Sequence, residues 1–148
     1  MVSPVFRAEL CSRSVEFGPM AHALHAWLQD HGAPPGAIRD ATLILDELFT
    51  NIVLHGYQGR PDGWVEVLAE VRGASLFLTL RDRAPAFDPR RGPNPDRSSP
   101  LEERPVGGLG LMFVQRLSDA FDYRRLPDSV GGGINEVRIT RHLAQPAN

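Results

Sequence analysis

The chain reads as a two-layer α/β sandwich, a mixed and mostly antiparallel sheet with helices on one face. Three observations predict it. Trp64 to Val71 and Ser75 to Arg81 alternate apolar and polar residues around Gly73, the pattern of a hairpin of central strands. Ala37 to His55 carries apolar residues at helical spacing, which predicts one long, largely buried helix. The element order, strand, helix, helix, strand, strand, loop, helix, strand, strand, leaves too few helices between strands for a parallel doubly wound sheet.

Taken in order, Val5 to Val15 predicts one or two edge strands, with Phe6, Ala8 and Leu10 as a weak alternating set. Met20, Ala23, Leu24, Trp27 and Leu28 then recur at helical spacing, so Pro19 to His31 predicts a helix with proline in its first turn and Gly32 at its end. In the long helix, Ile38, Ala41, Leu45, Leu48 and Ile52 form the main stripe, while Leu43, Ile44, Phe49, Val53 and Leu54 widen it. Pro85 to Pro105 holds six prolines and no periodic apolar set, which predicts a long loop of the kind that serves as a lid or an insertion. Gly107-Gly108-Leu109-Gly110 opens a third helix through about Leu117. Ala120 to Leu126 and Ile134 to Thr140 close the chain as a strand pair around Gly131-Gly132-Gly133. The expectation is a single domain over residues 1–148.

Composition narrows the function. The chain has 148 residues, a formal net charge of -2 and one cysteine, Cys11. A slightly acidic chain lacks the basic excess that holds a nucleic-acid backbone. One cysteine forms no intramolecular disulfide, and the five histidines make no metal-ligand spacing. No cationic leader or membrane-length apolar run is visible, so the expected location is the cytoplasm, without membrane association.

Three segments look chemical. Glu47, Asn51 and His55 fall at i, i+4 and i+8, on roughly one face of the long helix. A buried helix pays to bury unpaired polar groups, so these residues point either to a ligand or to a solvated stripe. The Asn51 oxygen suits a hard cation such as Mg²⁺, Glu47 suits proton abstraction, and His55 is expected to pair with backbone near the helix end. Asp82 ends an apolar strand, where a carboxylate can accept the amino hydrogens of a purine or cap the next turn. The Gly107–Gly110 cluster lets backbone amides approach phosphates at a helix N-terminus. It is neither a Rossmann nor a Walker A motif. Ser98 and Ser99 have no nucleophile context, and Trp27, Trp64 and Phe113 are expected in packing roles.

In this order the segments resemble the ATPase fold shared by gyrase, Hsp90-type chaperones, histidine kinases and MutL-type proteins (the Bergerat, or GHKL, fold). Within it they are most similar to the anti-sigma-factor serine/threonine protein kinases. Leu45 to Tyr57 resembles the magnesium-binding Asn helix, Asp82 to Pro89 the adenine carboxylate motif, Leu101 to Leu111 the lid end and phosphate glycines, and Gly133 to Val137 the last strand. The resemblance implies ATP and Mg²⁺ as cofactors, Glu47 as general base, Asn51 as metal ligand and Asp82 as the adenine acceptor. It also implies a lid over about 88–106 with Arg104 near the transferred group, and Gly107, Gly108, Leu109, Gly110 and Leu111 at the phosphates. Ala84 and Asn135 fall at adenine-site positions. The partners implied are an anti-anti-sigma (STAS-domain) protein as phosphoacceptor and a sigma factor. A homodimer through the Phe6 to Leu10 edge is a further expectation. The alternative is a nucleotide-gated binding module or anti-sigma factor with little or no kinase activity. Two positions depart from the family. Ala84 replaces the glycine of Asp-x-Gly, which matters if the backbone there needs positive φ. Asn135-Glu136 stands where relatives carry a threonine that holds adenine through water. Glu136 is expected to face solvent or a partner.

Overall fold

The computed structural model describes residues 3–91 and 107–143, with backbone alone at 107–109. Strand β1, Val5–Cys11, leads through a 3₁₀ turn at Ser14–Glu16 into helix α1, Phe17–Asp30. Helix α2, Pro35–Asn51, continues as a wider π-helical turn over Ile52–Gly56. Strands β2, Trp64–Arg72, and β3, Ser75–Asp82, follow; then come α3, Gly107–Leu117, β4, Ala120–Pro127, and β5, Gly133–His142. The five strands form one sheet in the order β1-β2-β3-β5-β4, and each neighbouring pair is antiparallel.

Alternation along each strand sends one set of side chains toward the helices. Val65, Val67 and Ala69 of β2, Leu76, Leu78 and Leu80 of β3, and Val137 and Ile139 of β5 are buried there. They meet Leu24 and Leu28 of α1, Ile44, Leu45 and Phe49 of α2, and Leu111 and Val114 of α3 in one core. Each large side chain so buried contributes about 1.5–3 kcal/mol. Helix α2 lies at the centre and packs on both other helices, so it carries apolar residues on most of its circumference.

Boundaries depart from periodicity where tertiary contacts decide. Beyond β1, the Ser12 hydroxyl donates to the Arg60 carbonyl and accepts from Gly63 N at 2.9 Å, which draws the chain off the sheet edge at Cys11. The expected strand to Val15 therefore stops short. Helix α1 begins at Phe17, whose ring stacks on Phe49 at 5.9 Å; Pro19 still sits in the first turn, where its missing N–H is not needed. In the last turn of the long helix, Tyr57 N donates to Ile52 O, an i to i+5 bond of 2.8 Å. That wider turn shifts the phase. Asn51 is buried and His55 is exposed, so the two do not share a face. His55 also makes no hydrogen bond among the described residues. Phe113, expected in the core, is exposed, and so are Leu43 and Leu54, expected on the buried face of the long helix; the stripe of α3 that faces α2 is Leu111 and Val114 instead.

The opposite sheet face carries charge rather than core. Register aligns Glu66, Arg81, Glu136 and Arg124 directly across β2, β3, β5 and β4. Arg7 reaches Glu66 at 2.6 Å, Arg81 bridges Glu66 at 2.9 Å and Glu136 at 2.7 Å, and Arg124 meets Glu136 at 2.5 Å. The result is an alternating ladder of three guanidiniums and two carboxylates crossing the whole sheet. Glu136 does point away from the helices, yet it is buried under two arginines rather than facing solvent, being only 1% exposed. Burial pushes its carboxyl up, but Arg124 and Arg81 outweigh that and hold it below the ordinary glutamate range.

Strand β1 is one sheet edge, which leaves the Phe6–Leu10 backbone free of a second neighbour among the described strands. No helix of the described residues is long and apolar enough to cross a membrane.

Candidate functional site

The end of α2 and the ends of β3 and β5 converge on a narrow cleft lined by Asn51, Ile52, Gly56, Asp82, Phe87 and Asn135, among others. Asn51 sits where the regular helix gives way to the wide turn, and Asp82 sits where β3 leaves the sheet. Residues far apart in sequence thus share one wall because the helix crosses the strand ends.

Asn51 is buried, and its Nδ2 has no hydrogen-bond partner among the described residues. An orphaned N–H donor of this kind costs about 1–3 kcal/mol, and it calls for an acceptor such as a phosphate or water oxygen; a cation would bind the carboxamide oxygen instead. No group of three or more His, Cys, Asp or Glu among the described residues could cage a metal. A single carboxamide oxygen suits Mg²⁺, which keeps several waters and takes the rest of its shell from phosphate oxygens. The residues present therefore fit a nucleotide-bound magnesium ion and not an all-protein metal site.

Asp82 is also buried. Its Oδ1 accepts from Asn135 Nδ2 and from Ala84 N, both at 2.9 Å. Its Oδ2 makes no hydrogen bond among the described residues. Burial raises this carboxyl above the ordinary aspartate range, opposed by the Asn135 and Ala84 hydrogen bonds and the Arg125 charge. Because the folded-state value is raised, ionisation works against folding. Below about pH 4 the carboxyl is neutral folded or unfolded; as pH rises through the elevated value, the wild type loses stability. Asp82→Asn keeps both Oδ1 contacts and removes the titration. Its stability advantage is expected to open as pH rises above about 4 and then level off, as urea unfolding across pH checks; a constant difference would contradict it.

Of the other candidates, Asn135 lines this cleft, whereas Glu47 lines a separate cavity with Ile44, Phe113 and Val114. Asn135 is fully engaged: Nδ2 also donates to the Ala84 and Pro85 carbonyls, each at 3.1 Å, while Oδ1 accepts from Tyr123 at 2.6 Å, Arg125 at 3.0 Å and Phe87 N at 3.3 Å. Its amide holds the turn after β3 to the sheet. Ala84 is buried without positive φ, so its methyl strains nothing. A Cβ built on Gly56 would lie 3.1 Å from Ala84 Cβ; the glycine at 56 leaves the room that the alanine at 84 takes. The obstacle to a purine is different. The cleft holds about 20 Å³ of open space, enough for one water, and its loop wall is Phe87 with the buried Pro89. A purine does not fit the cleft in this arrangement.

Glu47 lies one turn before Asn51 and faces the first turn of α3. A Cβ on Gly110 would overlap Glu47 Oε2, so glycine at 110 is what lets the carboxylate sit there. The backbone of Gly107, Gly108, Leu109, Gly110 and Leu111 forms the start of α3, and the Leu111 side chain is buried in the core. The first amides of a helix lack intrahelical partners and attract anions. Arg104 and residues 92–106 of the expected lid lie outside the described residues; Asp88–Arg91 are inside them, with Asp88 held below the ordinary range by Arg90.

Gly56 and Phe87 lie within the Asn-helix and adenine-carboxylate motifs but have no role there that the sequence shows, and Tyr123 and Arg125 belong to no motif at all. Alternation in β4 does place Tyr123 and Arg125 on one face, but only register brings Arg125 opposite Asn135.

Residues 9–141 match the family model described as histidine kinase-like ATPase domain. The chain is 28% identical over 76 residues to an anti-sigma F factor of Halalkalibacterium halodurans, covering 51% of this chain and 52% of that one. It is 31% identical over 88 residues to the serine-protein kinase RsbW of Listeria monocytogenes, covering 56% and 55%. The chain thus spans about half the length of these relatives. Among solved structures, that of the RsbU and RsbW domains of Rv1364c from Mycobacterium tuberculosis aligns with a TM-score of 0.66 and 20% identity, over 99% of this chain and 34% of that one. This last likeness concerns the fold.

Proposed function

We propose that this chain, which belongs to the histidine kinase-like ATPase domain family, is an ATP- and Mg²⁺-dependent protein serine/threonine kinase that works in partner switching. Its phosphoacceptor is an anti-anti-sigma (STAS-domain) protein, and its other partner is a sigma factor. The observation that carries the reading is the pairing of the orphaned, buried Asn51 amide with the buried Asp82 carboxylate in one cleft. The similarity to a serine-protein kinase and to anti-sigma F factors supports the partner classes.

Each residue has a role suited to its surroundings. Asp82 Oδ2 accepts the amino hydrogens of adenine in a pocket shielded from water, where a charge-assisted hydrogen bond is strong. Asn51 offers its carboxamide oxygen to the magnesium ion, which on binding neutralises phosphate charge. The amides at the start of α3 receive the phosphate chain. Glu47, beside Gly110, removes the proton of the acceptor hydroxyl, and Arg104 of the lid neutralises charge on the transferred group. The reaction moves one phosphoryl group from ATP to a serine or threonine oxygen and leaves ADP.

The test is incubation of the purified chain with radiolabelled ATP, magnesium and candidate antagonists, alongside calorimetry. Saturable Mg·ATP binding with label on one antagonist supports the kinase. Tight binding without labelled antagonist overturns the transfer step and leaves a nucleotide-gated anti-sigma module. Asn51→Ala is expected to weaken Mg·ATP binding by about 100-fold, on the order of 2.7 kcal/mol, with an unchanged far-ultraviolet spectrum. Unchanged affinity would remove Asn51 from the site.

A further inference from the structure

We propose that Arg125, with Gly133 beneath it, is a positioning residue for recognition of the adenine base. The inference rests on the nucleotide reading of the cleft and adds a residue that touches no part of the nucleotide.

The geometry begins with one cross-strand row. Asp82, Asn135 and Arg125 lie directly opposite one another on β3, β5 and β4. Arg125 Nη1 donates to Ala84 O at 2.9 Å and to Asn135 Oδ1 at 3.0 Å. One guanidinium therefore ties together the turn after β3 and the side chain that orients Asp82. The contact has a consequence for Asn135. A carboxamide can sit either way round, and its neighbours decide which. Arg125 and Phe87 N are donors that demand an oxygen on one side, while the Asp82 carboxylate and the Ala84 and Pro85 carbonyls demand an N–H on the other. Tyr123 can serve either orientation. Arg125 is the one charged donor on the oxygen side among these contacts. It thereby reinforces the orientation in which the Asn135 N–H edge meets Asp82 Oδ1, leaving Oδ2 open to the base.

Gly133 is the second, independent observation. A Cβ at this position would overlap Arg125 Nε and lie 2.9 Å from its Cζ. Gly133 lacks the positive φ of Gly131 and Gly132, so backbone freedom is not why glycine stands there. Its missing side chain is the space the guanidinium occupies. Arg125 and Gly133 are thus shaped to each other beside the turn after β3.

The experiment compares ATP with magnesium tripolyphosphate, which presents the phosphates without the base, by calorimetry on the full chain. Arg125→Met is expected to weaken ATP binding about tenfold, as loss of a charge-assisted hydrogen bond does, and to leave tripolyphosphate binding unchanged. Gly133→Ala keeps the guanidinium but displaces it, and is expected to move ATP affinity in the same direction. Arg125→Lys restores the charge but not the forked donor, and is expected to recover part of the loss. Unchanged ATP affinity in Arg125→Met and Gly133→Ala, with a wild type that binds ATP, overturns the inference and spares the nucleotide reading. Equal losses for ATP and tripolyphosphate also overturn it, because they denote general damage. A wild type that binds neither ligand overturns both readings.

Discussion

Glu47→Gln is expected to lower phosphoryl transfer by about 10²–10⁴-fold while leaving Mg·ATP affinity within about threefold. Glutamine keeps the volume that packs beside Gly110 and loses only the ability to take a proton. Glu47 suits the role because it makes no hydrogen bond among the described residues and is neither buried nor fully exposed. A carboxylate already committed to an ion pair would be a poor base. Glu47→Ala removes the packing as well and is expected to give the same transfer loss with the same retained binding. Single-turnover transfer to the antagonist, with calorimetry run in parallel, separates the chemical step from binding. Transfer by either variant at the wild-type rate would remove Glu47 from the reaction.

The second large effect lies on the far side of the sheet, in folding rather than chemistry. Arg81→Met is expected to destabilise the chain by about 3 kcal/mol, the lower end for breaking a buried ion pair. Arg81 alone joins the two carboxylates of the ladder, Glu66 and Glu136. Without it they flank an uncharged position on β3, the strand between theirs, each with a single remaining arginine. The size is held to the lower end because the Arg81 side chain is itself 32% exposed and water can reach the gap. The sign with pH follows from Glu136. Its carboxyl is depressed in the folded protein, so that stabilisation is present above the ordinary glutamate range and is lost as pH falls. The gap between wild type and variant is therefore expected to narrow below about pH 4. Urea unfolding at neutral and acid pH reads both. Equal stability at neutral pH would mean that the ladder adds nothing to folding. Nucleotide affinity is expected to be unaffected, because the ladder and the cleft occupy opposite faces of the sheet.

The two predictions mark the two kinds of information in the chain. Local pattern determined the element order, the buried character of α2, the hairpin around Gly73, and the placement of Glu47 and Asn51 one turn apart. These depend on spacing of two, three or four residues, which the backbone geometry of a strand or helix converts directly into a shared face. The resemblance across ordered motifs added the family. What only the tertiary structure decided depends on pairing between segments far apart. Ala84 is harmless because Gly56 happens to face it, and Asn135 is engaged by six neighbouring residues because strand register puts it between Asp82 and Arg125. His55 leaves the Asn51 face because a single wide turn intervenes. The charge ladder exists because four strands align residues 66, 81, 136 and 124, positions with no common spacing. Register is set by packing of the whole inner face, and a shift of one residue would turn each of these side chains to the other side of the sheet.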